Sequence, residues 1–496
     1  MASWAGGPQR FASSSPDIYD VVTIGGGPAG LAFLAALRSS STTSHLKTVL
    51  IETQDLDKQR QWSLPPDQYS NRAISLTPAS VNFLDSINAW HHVDQSRVQP
   101  YDEMQVYDAA NDAAIQFDWT SEAHQYNARP RTVATMTEIA NLTRGLLRRI
   151  DELGGQQSLL SNTKVSSIEN GQDDVEGLDL STWPVVNLSP TLPYTSSLRQ
   201  ITARLLVGAD GFNSPVRAFA NMASDGWDYN RHGVVATLKV EPKEDDYSPY
   251  SDAENHTTAF QRFLPSLGGP IAILPLPNNH ASLVWSTTPA TAAKLKSLPL
   301  QSLVYILNAA LRLEQVDIQY LLSQPADKDA SFYEDELSWR LKHTPQPSIT
   351  SPPPKIHSVQ EGSVASFPLR FRHAAALTSP RVALMGDAAH TMHPLAGQGL
   401  NLGIADAQSL AKCIEYNVEH GMDIGNYMAL ERYSCDRFGK GLVMAGGVDL
   451  LNSVYQLGGS GNGIVSALIG KARGLGMQAF DKLGLKNLVM RAAESS

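Results

Sequence analysis

The pattern of hydrophobic and polar residues predicts a short buried strand near the start of the chain, followed directly by a helix. Residues 20–24 are largely β-branched and apolar, and a short run of this kind is typical of a buried strand. The apolar residues 31–37 predict the helix, and residues 48–51 predict a second strand. This succession is typical of an α/β domain.

Later apolar runs predict two further kinds of strand. Residues 205–207 and 381–385 each lead directly into a turn that contains glycine and aspartate. Residues 233–240, 270–276 and 281–286 instead predict an antiparallel sheet. Such a sheet would cover a cofactor and form one wall of a substrate pocket.

Two stretches between these runs have the composition of surface segments. Residues 171–197 are acidic and rich in proline and serine, which predicts a solvated insertion. Residues 344–354 contain five prolines, which favours an extended linker or surface loop.

The turn after the first strand has glycines at the spacing G-x-G-x-x-G. Gly25 permits a tight turn, Gly27 allows the backbone to approach a pyrophosphate, and Gly30 allows the helix to pack closely on the sheet. The helix N-terminus would stabilise the phosphate charge. Glu52, directly after the second strand, would accept a hydrogen bond from a ribose hydroxyl. This element alone is compatible with either NAD or FAD.

Two more turns select FAD. The first contains Asp210 and Gly211, and the second contains Gly386 and Asp387. A strand that ends in such a turn can direct a carboxylate at the ribityl hydroxyls of a flavin. The backbone N–H groups of a later glycine turn can face the flavin pyrimidine edge, where negative charge develops on reduction. That turn comprises Gly397, Gln398, Gly399, Leu400 and Asn401.

The aspartate-containing turns resemble those of the single-component aromatic hydroxylases. Residues 393–406 are similar to the signature of the flavin-dependent monooxygenases of ubiquinone biosynthesis, and shorter matches extend the resemblance over roughly residues 17–445. Those matches lie at residues 71–76, 260–264, 269–276 and 282–285. The resemblance implies hydroxylation of position 5 of a polyprenylated 4-hydroxybenzoate-derived phenol, through a flavin hydroperoxide formed with O2.

The same resemblance suggests roles for single residues. Pro394 corresponds to a family proline that contacts the flavin face. Arg72 either packs near the isoalloxazine and its substrate or pairs with a surface carboxylate. His390 and His393 either supply a catalytic base or set the turn through hydrogen bonds to the backbone. Asp406 is expected to cap the following helix or to pack within it.

The order of the motifs predicts interleaved domains in an α/β fold. A Rossmann-like, three-layer FAD-binding domain is interleaved with an antiparallel-sheet substrate domain, and a helical region follows. The predicted segments are residues 17–78, 131–222 and 362–412 for FAD, 79–130 and 223–361 for substrate, and 413–496 for the helical region.

Composition restricts the possible functions. The chain of 496 residues has a formal net charge of −10, which argues against broad nucleic-acid binding. Cys413 and Cys435 give neither a disulfide framework nor the spacing of a metal site, which favours a reduced intracellular setting. Both cysteines are expected to be small apolar residues of C-terminal helices. Residues 1–16 have the composition of a transit-peptide remnant or a disordered leader.

The tail of the chain, residues 458–491, is first glycine-rich and then amphipathic. Apolar residues recur at three-to-four spacing, and the basic residues include Lys471, Arg473, Lys482 and Lys486. This pattern fits a helix that docks on a membrane or a partner, and it fits equally a helix packed on the protein's own core.

The resemblance also implies partners and a location. Its mitochondrial members receive electrons from ferredoxin and ferredoxin reductase, and they work with other ubiquinone-biosynthesis proteins at the matrix face of the inner membrane. One alternative is an NAD(P)H-dependent hydroxylase of a small soluble aromatic compound. An alternative of another class is a non-catalytic escort protein built on the flavin fold.

Overall fold

The structure is a computed structural model, and its strands form two large sheets and one small sheet. The part of the chain that it describes comprises residues 17–110, 113–118, 132–173, 179–191, 199–242, 257–344, 352–392 and 398–439. The strands in chain order are β1 (Ile18–Ile24), β2 (Thr48–Ile51), β3 (Ala73–Leu76), β4 (Gln99–Tyr101), β5 (Glu103–Asp108), β6 (Ala114–Asp118), β7 (Ala134–Glu138), β8 (Leu159–Leu160), β9 (Thr163–Asn170), β10 (Pro184–Pro190), β11 (Arg199–Gly208), β12 (Ser224–Val240), β13 (Thr258–Leu264), β14 (Gly269–Leu276), β15 (His280–Thr287), β16 (Ile356–Val359), β17 (Ala365–Ala374), β18 (Thr378–Ser379), β19 (Val382–Leu384) and β20 (His390–Thr391).

The helices of the described residues lie mainly between and after these strands. They are α1 (Pro28–Ser39), α2 (Leu56–Arg60), α3 (Pro78–Ser86), α4 (Ile139–Glu152), α5 (Pro215–Phe219), α6 (Pro289–Ser297), α7 (Leu300–Arg312), α8 (Gln315–Ser323), α9 (Ala330–Leu341), α10 (Gln398–Glu419) and α11, residues 427–439. No helix in this part of the chain is long and apolar enough to cross a membrane.

The first sheet is an α/β sheet with a parallel centre. Its strand order is β18-β19-β11-β1-β2-β8, and β9 and β10 extend it from β11. The pairs β19–β11, β11–β1, β1–β2 and β2–β8 are all parallel. The four strands β19, β11, β1 and β2 therefore end at one edge of the sheet. One hydrophobic core joins this sheet to α1, α4 and α10.

The second sheet is antiparallel except for one pair. Its order is β20-β17-β12-β15-β14-β13-β5-β6, with β16 beside β12, and β13 and β5 run parallel. A separate hydrophobic core lies between this sheet and the helices α6 to α9. The three-stranded sheet β3-β7-β4 lies near it, since Met136 of β7 shares a small core with Leu276 of β14.

The predicted α/β fold with an additional antiparallel sheet is confirmed. The expectation of a solvated insertion at residues 171–197 is partly wrong, because β10 lies within it and pairs with β9 and β11. Val186 and Leu188 of β10 are buried, and the polar Asn187 lies between them. This short alternation is obscured by the acidic and Pro/Ser-rich residues around it. Both cysteines lie in helices near the end of the described chain, as expected, but only Cys413 is buried, so the expected apolar surroundings are wrong for the exposed Cys435.

Candidate active site

The turns that carry the sequence motifs meet at one edge of the first sheet. Ile24 at the end of β1 is in register with Gly208 of β11 and with Ile51 of β2, and Gly208 is in register with Leu384 of β19. Because these four strands are parallel, their following turns lie side by side. Parallel α/β sheets bind ligands at this carboxyl edge.

The first glycine turn is tightly packed at two positions. Gly25 has φ +110°, and a Cβ there would lie 2.1 Å from the carbonyl oxygen of Ala209, in the neighbouring motif. A Cβ at Gly30 would lie 2.1 Å from the oxygen of Gly25, so any side chain there would push α1 away from the turn. These contacts explain why β1, its turn and α1 need glycine at both positions.

The third glycine of the turn borders open space. Among the residues that the structure describes, a Cβ at Gly27 would meet no atom within 4 Å, and Gly27 itself is exposed. Gly27 is also the N-cap of α1 and offers no side chain to bond the first N–H groups of the helix. Uncapped N–H groups at a helix N-terminus favour an anion such as a phosphate.

Glu52 follows β2 and reaches back to the glycine turn. One carboxylate oxygen accepts a hydrogen bond from the N–H of Gly26 at 2.5 Å, and the other accepts from the N–H of Gln54 at 2.7 Å. Glu52 is therefore oriented by the turn beside the N-terminus of α1.

Asp210 lies after β11 with one oxygen satisfied and one without a partner. Its Oδ2 accepts a hydrogen bond from the N–H of Val216 at 3.2 Å. Its Oδ1 is shielded from solvent and has no hydrogen-bond partner among the described residues. Desolvation raises the pKa of this carboxyl above its ordinary value of 3.8. A shielded acceptor without a donor is costly, and a ligand hydroxyl would satisfy it.

Asp387 occupies the equivalent place after β19. Its side chain is exposed to solvent, yet desolvation by the surrounding protein raises the pKa of its carboxyl above 3.8. Solvent exposure and desolvation point in opposite directions for this side chain. Both apply to a carboxylate in a concave surface, because it touches solvent while protein surrounds it. Gly386, just before it, has φ +60° and lies between Ala29 of α1 and Gly403 of α10.

Arg217 of α5 connects the two aspartate turns. Its Nη1 donates a hydrogen bond to the carbonyl oxygen of Ala388 at 2.7 Å, and its Nη2 donates to that of Phe212 at 2.6 Å. One guanidinium thus fixes the spacing between the turn of Asp210 and the turn of Asp387. The glycine and aspartate motif at residues 208–211 gives no indication of this bridging role of Arg217.

The last predicted turn lies only partly in the described residues. His393, Pro394 and Gly397 lie outside them, as does the side chain of Gln398. At Gly399, in the first turn of α10, a Cβ would meet no atom of the described part of the chain within 4 Å. Leu400, which follows, is partly buried against the core of the first sheet.

Asn401 uses its side chain to fasten α10 to β3 and α3. Its Nδ2 donates to the carbonyl oxygen of Ser75 at 2.8 Å, and its Oδ1 accepts from the N–H of Thr77 at 3.0 Å and the hydroxyl of Ser80 at 2.8 Å. The side chain is buried. The side chain therefore positions the start of α10, and cofactor binding by Asn401 stays a prediction.

Arg72 is exposed and makes no ion pair with a carboxylate of the described residues. Its backbone is fixed, since its N–H donates to the hydroxyl of Ser70 at 3.2 Å and its carbonyl oxygen accepts from the N–H of Ile139. The predicted alternative of pairing with a surface carboxylate therefore has no support among these residues.

His390 is not accessible to solvent as a catalytic base would be. Among the described residues its ring also makes none of the predicted hydrogen bonds to the backbone. It is buried, and its Nε2 lies 2.6 Å from Oδ2 of Asp406. The same Asp406 accepts a hydrogen bond from Nε of Arg437 at 2.9 Å. Sequence patterns missed Arg437, because it lies in another helix and has no motif of its own.

No group of three or more histidine, cysteine, aspartate or glutamate side chains in the described ranges could hold a metal ion.

The fold and the carboxyl-edge turns define the class of the protein as an FAD-binding flavoprotein. A family model for the FAD binding domain matches residues 18–421. The p-nitrophenol 4-monooxygenase PnpA of Pseudomonas putida has a similar fold, with a TM-score of 0.61 at 17% identity over 96% of this chain and 99% of that one. At this identity the likeness concerns the fold alone.

Two curated relatives are similar over nearly their whole length. The mitochondrial ubiquinone biosynthesis monooxygenase COQ6 of Schizosaccharomyces pombe is 36% identical over 95% of this chain and 91% of its own. COQ6 of Saccharomyces cerevisiae is 38% identical over 90% of this chain and 88% of its own. The chain belongs to this family of FAD-dependent monooxygenases, which confirms the resemblance and the choice of FAD.

Proposed function

We propose that the chain is the aromatic-ring monooxygenase of mitochondrial ubiquinone biosynthesis that acts on position 5 of a polyprenylated 4-hydroxybenzoate-derived phenol. The observation that carries this proposal is the identity of 36–38% with COQ6 enzymes over about nine-tenths of each chain. The antiparallel sheet beside the flavin-binding sheet provides a wall for an aromatic substrate.

The residues at the carboxyl edge of the first sheet fit FAD. Glu52 would accept a hydrogen bond from the adenosine ribose, and the pyrophosphate would lie at the open space beside Gly27. Asp210 offers an unsatisfied acceptor, and Asp387 offers an exposed carboxylate with a raised pKa, both suited to hydroxyl donors. Gly211, Gly397, Gln398, Gly399 and Leu400 complete the proposed set with their backbone.

FAD supplies, when bound and reduced, the activation of O2 for insertion into an electron-rich ring. The chain's own residues bind the cofactor, hold the phenol in line and exclude water from the site. Arg72 and Pro394 are proposed to face flavin and substrate. The exposed Arg72 on a fixed backbone is suited to this role, because its guanidinium pairs with no carboxylate of the described residues.

The proposed partners follow from the lipid tail of the substrate. A polyprenyl chain stays in the bilayer, because each buried methylene is worth about 0.8 kcal/mol. We place the protein as a peripheral protein at the matrix face of the inner membrane, in contact with other ubiquinone-biosynthesis proteins. Electrons come from ferredoxin and ferredoxin reductase rather than directly from NAD(P)H.

The decisive experiment supplies this chain to a strain that lacks its own position-5 hydroxylase. The ubiquinone intermediates of the strain are then identified with and without the chain. Restoration of the position-5 hydroxyl supports the proposal. Failure to restore it, with flavin-loaded protein present in mitochondria, contradicts it.

Two assays on purified protein separate the remaining alternatives. Flavin bleaching by NADPH alone, without ferredoxin and its reductase, would favour an NAD(P)H-dependent hydroxylase. Turnover restricted to phenols without a tail would exclude the lipid substrate. The alternative of a non-catalytic escort protein is not favoured by membership of a monooxygenase family.

A further inference from the structure

The turn of Gly386 and Asp387 is held from behind by Asp406 of α10. Oδ2 of Asp406 accepts a hydrogen bond from the N–H of Gly386 at 3.0 Å and lies 2.6 Å from Nε2 of His390. Oδ1 accepts from Nε of Arg437 at 2.9 Å. Because a carboxylate only accepts hydrogen bonds, the three neighbours are all donors to it.

Helix α11 contributes two side chains to this arrangement. Arg437 and Tyr433 are four residues apart, which places them on one face of the helix. The hydroxyl of Tyr433 donates to the carbonyl oxygen of Leu384 at 2.6 Å, just before the turn. Both side chains are buried, at 3% and 0% exposure. Helix α11 lies beyond residue 421, where the match to the FAD binding domain ends.

The charges of this network support one another despite their burial. Burial favours neutral Asp406, but the charges of His390 and Arg437 outweigh it and lower the pKa of this carboxyl. Burial likewise favours neutral His390, but Asp406 outweighs it and raises the pKa of the imidazole above 6.5.

The charged groups around His390 act on the pKa of its imidazole in both directions. Asp387 of the same turn favours the imidazolium, while Arg437 opposes it. His373 of β17 lies beside His390, with the ring centres 6.5 Å apart, and burial lowers its pKa and favours its neutral form. Removal of Arg437 or His390 would therefore leave Asp406 buried with an incomplete set of donors.

We propose that α11 helps to bind FAD without touching it, because Tyr433 and Arg437, acting with Asp406 and His390, hold the Gly386–Asp387 turn in its cofactor-binding position. Arg437 is in this sense a positioning residue. The inference rests on FAD binding, which the family establishes, and not on the identity of the aromatic substrate. A measurement of FAD affinity therefore tests the role of α11 independently of the proposed hydroxylation reaction.

The test measures the FAD dissociation constant of apoprotein by flavin fluorescence, together with the melting temperature. Arg437→Met is expected to weaken FAD binding about tenfold, as loss of one hydrogen bond to a charged group would. The matched control is Arg432→Met on the same helix, since Arg432 is exposed and stacks over Tyr416 instead. The control should leave FAD affinity unchanged.

Coupling between residues distinguishes positioning from a general loss of stability. Asp406→Asn combined with Arg437→Met should weaken FAD binding no more than the stronger single variant, because both remove the same interaction. Additive effects, or folded Arg437→Met with wild-type affinity, would overturn the proposal. If Arg437→Met does not fold, Tyr433→Phe serves instead, since it removes only the hydroxyl. Unchanged affinity in that variant has the same meaning.

A pH profile gives an independent readout. Protonated His390 makes the stronger, charge-assisted hydrogen bond to Asp406. FAD affinity of the wild type should therefore decline as pH rises above 6.5 through the raised pKa of His390. His390→Gln should show a flatter profile over this range. Identical profiles for the two proteins would count against the proposal.

Discussion

At the scale of single residues, the carboxylates of Asp210 and Asp387 differ from ordinary surface aspartates. Each follows a central parallel strand, and desolvation raises the pKa of each. A carboxylate in this condition gains from a hydrogen-bond donor that arrives with a ligand. Binding of FAD should therefore depend strongly on both.

Replacement of Asp387 by alanine should weaken FAD binding without unfolding the protein. The lost hydrogen bond to a charged acceptor corresponds to about 1.5–3 kcal/mol, or roughly ten- to hundredfold in affinity. Titration of FAD into apoprotein measures the effect. Asp335→Ala, at an exposed position of α9, is the control. Full FAD occupancy with unchanged affinity in Asp387→Ala would show that this carboxylate does not contact the cofactor.

The raised pKa of Asp387 predicts a pH dependence of FAD binding. Because the ionised carboxylate is the hydroxyl acceptor, affinity should fall as pH drops through the raised pKa, at a pH above 3.8. Without FAD the sign is opposite, since ionisation of this desolvated group lowers folding stability as pH rises from 3.8 through the raised pKa. FAD titrations from about pH 4 to about pH 8 compare the wild type with Asp387→Asn. Parallel curves would contradict this assignment.

At the scale of elements, the site depends on how close α1, the turn of Gly386 and α10 approach one another. A Cβ at Gly403 would lie 3.2 Å from Cα of Gly386 and 3.3 Å from Cβ of Ala29. Arg217 of α5 sets the spacing of the two aspartate turns through two carbonyl oxygens. Small residues and one guanidinium thus determine the spacing of these turns and helices.

A side chain at Gly399 should obstruct the flavin and leave the fold intact. A Cβ there meets no atom of the described residues within 4 Å, so Gly399→Val does not clash with this part of the protein. We expect a folded protein with little flavin or little activity, and an intermediate effect for the smaller Gly399→Ala. Flavin absorbance per folded chain measures both. A normal flavin spectrum and normal turnover in Gly399→Val would exclude the proposed turn.

The elements that could be predicted from sequence are those with local signals. The turn at Gly25 can be predicted because its glycines lie between an apolar strand pattern and a helix pattern. Asp210 and Asp387 can be predicted because each follows an apolar run. The network of Asp406 could not be predicted, because His390 and Arg437 reach it from different elements. Strand β10 was missed for another reason, since its pairing with β11 decides its structure and its flanking composition favours a loop.

At the scale of the whole molecule, two sheets with separate cores stand beside each other, and β17, β20 and the turn of Asp387 connect them. His390 of β20 pairs with His373 of β17 only three residues after Asp387. A displacement of the antiparallel sheet would therefore reach the flavin-binding edge directly. The antiparallel sheet and the turn of Asp387 are thus separated by only a few residues of chain.

Removal of the tail after Gly458 should weaken binding to anionic liposomes. Basic residues near a membrane surface each contribute about 1 kcal/mol to binding of anionic lipid, and the tail contains Lys471, Arg473, Lys482 and Lys486. The tail lies outside the described residues, so its helix stays a prediction. Liposome co-sedimentation measures binding, while flavin content should stay unchanged. Equal binding by truncated and full-length protein would contradict a membrane role for the tail.

The parallel neighbours at the carboxyl edge have a consequence for how the protein is made. Strand β1 lies near the start of the chain, and β19 follows more than three hundred residues later. A ribosome or an import channel delivers these segments in order. The proposed flavin-binding edge of the sheet is therefore incomplete until β19 and the turn of Gly386 and Asp387 have emerged. We therefore expect flavin to bind only after β19 and the turn of Asp387 have been synthesised. Prematurely terminated products that stop before residue 386 should be colourless.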